Sequence, residues 1–95
     1  MRYTLEYRES VRDYLRQVSL TREGRVKLYS NLIGLTAEVP DSFRSDPANR
    51  PDLSSSFYHF TVHFKDGGRW RKLFVVVDDS TVAYGVLRVV YSDCQ

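Results

Sequence analysis

His63, Lys65, Arg69, Arg71 and Lys72 crowd around one tight tip, Asp66-Gly67-Gly68. Basic groups gathered this way suit chemistry on a phosphodiester. When RNA is cut by its neighbouring 2′-hydroxyl, the reaction passes through a pentavalent phosphorus carrying extra negative charge, and fixed cations lower that barrier. An arginine fork can grip the non-bridging oxygens, and a second basic group crowded by like charge gives up its proton more readily and activates the hydroxyl. The departing 5′-oxygen still needs a proton donor. Arg69 and Arg71, two apart, share one side of a strand, with Trp70 and Lys72 on the other. Trp70 together with Phe74 then reads as core. In the preceding strand His59, Thr61, His63 and Lys65 share a cationic side opposite Tyr58, Phe60, Val62 and Phe64. Burial explains the apolar side. The charges on the other side either keep the hairpin soluble and its edge protected or meet an anionic partner such as RNA.

Other chemistries find little support. His59 and His63 lie four apart on a strand, roughly 13 Å at 3.3 Å per residue, too far to share a metal. There is no glycine-rich phosphate loop before a helix and no nucleophile elbow. Cys94 is the lone cysteine, so neither a disulfide framework nor a cysteine zinc site can form. No metal or cofactor is expected. The net charge is only +2 with a pI near 8.8, so total charge says little and the local distribution must carry any argument for nucleic acid. Two further basic groupings qualify: Arg8, Arg12 and Arg16, recurring every four residues on a helix face, and Arg44 with Arg50 in a long loop. No apolar run approaches the ~20 residues of a membrane span, and nothing at the start resembles a leader. A reducing, cytoplasmic setting is expected, with no membrane partner.

These side chains need a scaffold. A chain of 95 residues holds one core, hence a single domain over 1–95. Residues 2–7 alternate, with Tyr3, Leu5 and Tyr7 on one side, which predicts a half-buried strand. Ser10 and Asp13 resemble a capping box ahead of Val11, Tyr14, Leu15 and Val18, the spacing of a short amphipathic helix. Thr21 is the cap of a second, longer helix along Leu28, Tyr29, Leu32, Leu35, Thr36 and Val39, stopped by Pro40. Gly34 could break it earlier. Residues 40–56 are rich in turn formers and read as a long loop. Three strands follow as an antiparallel meander: 57–65, 69–77 and 81–91. Leu73 to Val77, apolar on both parities, predicts a central strand covered on two sides.

The order strand, two helices, loop, meander, closed by Ala83-Tyr84-Gly85-Val86-Leu87-Arg88-Val89-Val90, resembles the RelE/ParE superfamily of bacterial toxins over nearly the whole chain. The resemblance implies an α+β domain of RelE-like fold, with an N-terminal strand, a two-helix hairpin and a three-stranded antiparallel meander packed on the helices. It implies a type II toxin–antitoxin system with a cognate antitoxin that wraps and silences the toxin. In the RelE branch it implies a metal-independent endoribonuclease that binds the ribosome, cuts mRNA and inhibits translation. Arg71 matches the family's strand arginine best, and the preceding basic position stays open between Lys65 and Arg69. The closing family pattern Leu-Arg-Val-Gly-His-Arg begins here as Leu87-Arg88-Val89, but Tyr91 and Ser92 stand where the His-Arg pair would be. On that carry-over the catalytic set is Arg71, Arg69, and Tyr91 or His63 for proton transfer. The RNA-contacting set is Lys65, Lys72, Arg88, Arg44, Arg50, Arg12 and Arg16. The same resemblance admits a ParE-like inhibitor of DNA gyrase, or a catalytically inactive module of this fold that binds RNA or protein.

Overall fold

The tip of the central hairpin sets the geometry of the sheet. Gly67 and Gly68 take φ of 60° and 85°, the left-handed pair that a two-residue hairpin turn requires and that glycine adopts without a Cβ clash. The turn fixes the register of β2 (Phe57–Asp66) against β3 (Arg69–Asp78), from Asp66 opposite Arg69 to Phe57 opposite Asp78. The computed structural model describes residues 3–37, 41–50, 52 and 54–95. The remaining elements are β1 (Thr4–Tyr7), α1 (Glu9–Gln17), α2 (Arg22–Ala37), a one-turn α3 (Asp41–Ser45) and β4 (Val86–Cys94). The sheet runs β1-β4-β3-β2. β4 pairs antiparallel with β3, and β1 pairs parallel with β4. The architecture is α+β, a mixed four-stranded sheet with two main helices. No helix among the described residues is long and apolar enough to cross a membrane.

Both main helices lie on one side of the sheet, α1 along β4 and α2 across β2 and β1. Val11 and Leu15 of α1, and Leu28 and Leu32 of α2, meet Val62, Phe64, Leu73, Val75, Leu87 and Val89 in one buried cluster. Each such side chain contributes about 1.5–3 kcal/mol by leaving water, so this face holds the fold. The other face has no cover among the described residues. That corrects the expectation for Leu73 to Val77: β3 is interior in the sheet, but only Leu73, Val75 and Val77 are buried, while Phe74 and Val76 sit half-buried on the open side. Trp70, expected in the core, is 69% exposed.

Other boundaries shift for identifiable reasons. Arg2 and Val39 lie outside the described residues. α1 begins at Glu9 and has no side-chain cap, so Ser10 is inside the helix. Its other end is closed by Arg25 of α2, which donates to the carbonyls of Leu15 (2.5 Å) and Val18 (2.8 Å). Thr21 does cap α2, its hydroxyl accepting from Gly24 N–H at 3.0 Å. Gly34 leaves α2 unbroken. Leu35 is exposed, and Thr36 takes the buried stripe position. Residues 81–84, expected in the last strand, form a 3₁₀ turn (Val82–Tyr84), and β4 instead runs on to Cys94. Between Val76 and Val77 the register of β3 against β4 slips, so that Val76 faces Tyr91 and Val77 faces Val89. Val90 is the extra residue of a β-bulge. Val89 and Val90 are both buried, and every side chain after them is turned over relative to simple alternation.

Candidate nucleic-acid interface

The cationic cluster around the hairpin tip is divided between the two faces. Register places Lys65 beside Trp70 and His63 beside Lys72 on the open face, but Phe64 beside Arg71 and Asp66 beside Arg69 on the helix face. Lys65 therefore does not converge with Arg69 and Arg71, contrary to the expectation of one phosphate-gripping patch. Arg71, the leading catalytic candidate, is occupied internally. Its guanidinium donates to Ser19 O (2.9 Å), Gln95 O (3.4 Å) and the Asp66 carboxylate (3.2 Å), and its side chain is only 18% exposed. It ties the α1–α2 connection, the hairpin and the end of β4 together. Arg69 is exposed at the tip on the same side.

Asp66 completes this junction. Its Oδ1 accepts from both the backbone N–H (2.7 Å) and the hydroxyl (2.6 Å) of Thr21. The Thr21 hydroxyl, then its N–H, hold the Asp66 carboxyl below its usual 3.8, with Arg71 adding to the effect. A carboxyl with a depressed folded-state pKa stabilises the fold above its unfolded pKa and loses that contribution as pH falls through the folded value. The acid limb of stability should accordingly be steeper below about pH 4 in the wild type than in Asp66→Asn, as read from urea midpoints across that range.

Arg44 and Arg50 do not reach outward from a solvated loop. They are 9% and 8% exposed and both pair with Asp79, Arg44 at 3.2 Å. Arg50 also donates to Arg44 O (2.8 Å) and Ser55 O (2.7 Å), and lies over the Tyr58 ring. The described residues among 41–56 are thereby folded onto the sheet end, with α3 and turns where a plain loop was expected. Both arginines line an open pocket of about 590 Å³ with Ser54, Ser55, Ser56 and Asp79, at the sheet end. Arg12 and Arg16 are exposed on α1, on the side of the molecule away from the open sheet face. Arg88 is on that face but bonded to Glu6 at 3.1 Å.

What the open face does bring together is a set of crossing rows. Lys65 pairs with Trp70, His63 with Lys72, Thr61 with Phe74 and Asp93, and His59 with Val76 and Tyr91. Phe74 is central, its ring 5.4 Å from His59 and 6.3 Å from Tyr91. The Lys65 ammonium stands 5.4 Å from the Trp70 ring centroid. Tyr91 is there because of the bulge at Val90: unbroken alternation with Leu87 and Val89 would have pointed it into the core. The same bulge turns Ser92 inward, where it is 8% exposed and its hydroxyl has no hydrogen-bond partner among the described residues. Of the proton-transfer candidates, Tyr91 and His63 both lie on this face, but the imidazole in Tyr91's own row is His59, which the residue pattern did not single out. The signal was available in part, since a two-residue turn fixes which β2 and β3 side chains are neighbours.

No family model, curated protein or solved structure matches the chain. A flat sheet surface carrying exposed aromatic rings beside lysines, with bases able to stack and phosphates able to pair, is a known way of holding single-stranded nucleic acid.

Proposed function

We propose that the chain is a RelE-like toxin of a type II toxin–antitoxin pair, and that it inhibits translation by holding mRNA at the ribosome against the open face of its sheet. The observation that carries this reading is the uncovered face on which Lys65, Lys72, His63 and Trp70 stand at one end and His59, Phe74 and Tyr91 at the other. The family resemblance in element order supports it. In this reading Lys65 and Lys72 pair with phosphates, and Tyr91 and His59, flanking Phe74, take the proton-transfer roles. Arg71 is a positioning residue for the hairpin. The antitoxin would cover apolar groups left exposed on α2, Val26, Ile33 and Leu35, of which Leu35 lines a groove of about 410 Å³ between α2 and β2.

A second reading, binding without cleavage, is favoured by one observation: Arg71 and Ser92, at or near the family's catalytic positions, are both turned into the helix face. Induction in a bacterium, with mapping of mRNA 5′ ends, separates the two. Wild type should arrest growth and create new ends, Tyr91→Phe should lower end formation by about 10²–10⁴-fold as loss of a general acid does, and Lys65→Ala/Lys72→Ala should restore growth. Arrest with no new ends would establish the binding-only reading. Growth equal to an empty vector would remove both, and a DNA-damage response in place of arrested translation would point to gyrase.

A further inference from the structure

Trp70 is the sole tryptophan of the chain and is more exposed than most of its surface needs to be, at 69%. A large indole left in water on a rigid two-residue hairpin forgoes burial that a core position would have given. One face of the ring is already covered by the Lys65 ammonium at 5.4 Å, which leaves the other face as an open stacking surface beside a cation. The next row adds His63 and Lys72. The two aspartates nearest in register do not share these rows: Asp66 is on the opposite side, held by Thr21 and Arg71, and Asp93 is one row further in, beside Phe74.

We infer that this hairpin end, Trp70 with Lys65, His63 and Lys72, is a binding site for single-stranded RNA in which a base stacks on the free face of Trp70 and the lysines pair with the flanking phosphates. The inference rests on the reading of the open face as RNA-binding and adds, to the phosphate contacts of Lys65 and Lys72, a base stacked on Trp70. A nucleic-acid strand supplies a ring and an anion at every repeat, the pair of groups this end is able to receive. Duplex RNA keeps its bases stacked on one another, so only an unpaired strand can offer one. Trp70 is six residues along β3 from Val76, the row of Tyr91, or about 20 Å at 3.4 Å per residue. The hairpin end is thus a remote anchor, and the strand between the two rows would be about four nucleotides, at the small end of sites on single-stranded binding domains.

The indole is its own reporter. Titrating the whole protein with a single-stranded RNA octamer of mixed sequence should quench Trp70 emission, and the same octamer as a duplex should leave it unchanged. By anisotropy of labelled octamer, Trp70→Ala should weaken binding roughly tenfold to a hundredfold, the range found for removing one stacking ring, while Trp70→Phe keeps most of the affinity. Lys65→Ala/Lys72→Ala should flatten the plot of log affinity against log salt by about 1.4, two phosphate contacts on a single strand. The exposed position of Trp70 predicts an unchanged melting temperature for Trp70→Ala, which separates loss of the site from loss of the fold. Unquenched emission at RNA concentrations that bind, unaltered affinity in Trp70→Ala, or quenching by an acidic peptide and not by RNA would each overturn the inference. Growth arrest is read independently: a chain that arrests translation without quenching retains the proposed function and loses this site, and a chain that quenches without arresting does the reverse.

Discussion

Replacing Asp79 by Ala should destabilise the protein by about 3–5 kcal/mol, the cost of removing one partner of a buried ion pair. Arg50 is 8% exposed and Asp79 is the carboxylate it meets, so the variant leaves a largely buried guanidinium without its counter-charge. For a domain of this size that is a fall in melting temperature of about 15 °C or more. The contrast is Arg88→Ala, which breaks the pair with Glu6 at 3.1 Å. There both side chains are about half exposed, 45% and 50%, and water already does much of the work, so about 1 kcal/mol or less is at stake. Thermal unfolding of the two variants side by side tests whether burial decides the matter. Similar losses in both would mean that the Asp79 junction does not hold Arg44 and Arg50 to the sheet.

Two glycines of the same helix should respond to alanine with opposite signs. In an open helix interior Gly→Ala is worth about 0.5–1 kcal/mol of added stability, through a less free unfolded chain. Gly34 meets that condition, because a Cβ built there finds nothing within 4 Å. Gly24 does not. A Cβ there would fall 2.6 Å from Asp66 Cγ and 2.8 Å from its Cβ, and Asp66 cannot swing aside without releasing Thr21 and Arg71. Overpacking of this kind costs about 1–3 kcal/mol, which outweighs the helix-propensity gain. Urea midpoints should therefore rise for Gly34→Ala and fall for Gly24→Ala. A rise in both would show that the hairpin tip and the start of α2 are not in close contact.

The periodicities carried much of the architecture and less of the site. Alternation and helical spacing placed β1, both main helices and the meander within a few residues, because each rests on local pattern and local caps such as Thr21. They also sorted side chains correctly by parity: Arg69 with Arg71, Trp70 with Lys72. What parity could not supply was which side the helices would cover. Opposite Arg69 and Arg71, Trp70 reads as core together with Phe74, yet α1 and α2 cover Leu73, Val75 and Val77 instead. Once the glycine turn set Lys65 opposite Trp70, Lys65 and Arg71 had to part. Two features were beyond any window of sequence. The bulge at Val90 redirects Tyr91 with no residue that announces it, and Asp79 reaches Arg50 and Arg44 across 29 and 35 positions. The arginines of residues 40–56 looked like free charges for that reason.

The strand that begins the sheet takes as its neighbour the strand that ends it, with Glu6 and Arg88 bonded across 82 positions. During synthesis, then, Leu5 and Tyr7 wait without a partner until residues 86–89 have left the ribosome, and the helices have no finished floor to settle on. Non-local closure of this kind is slow relative to helix formation. A chain cut before residue 86 would leave Leu5 and Tyr7 without their paired strand.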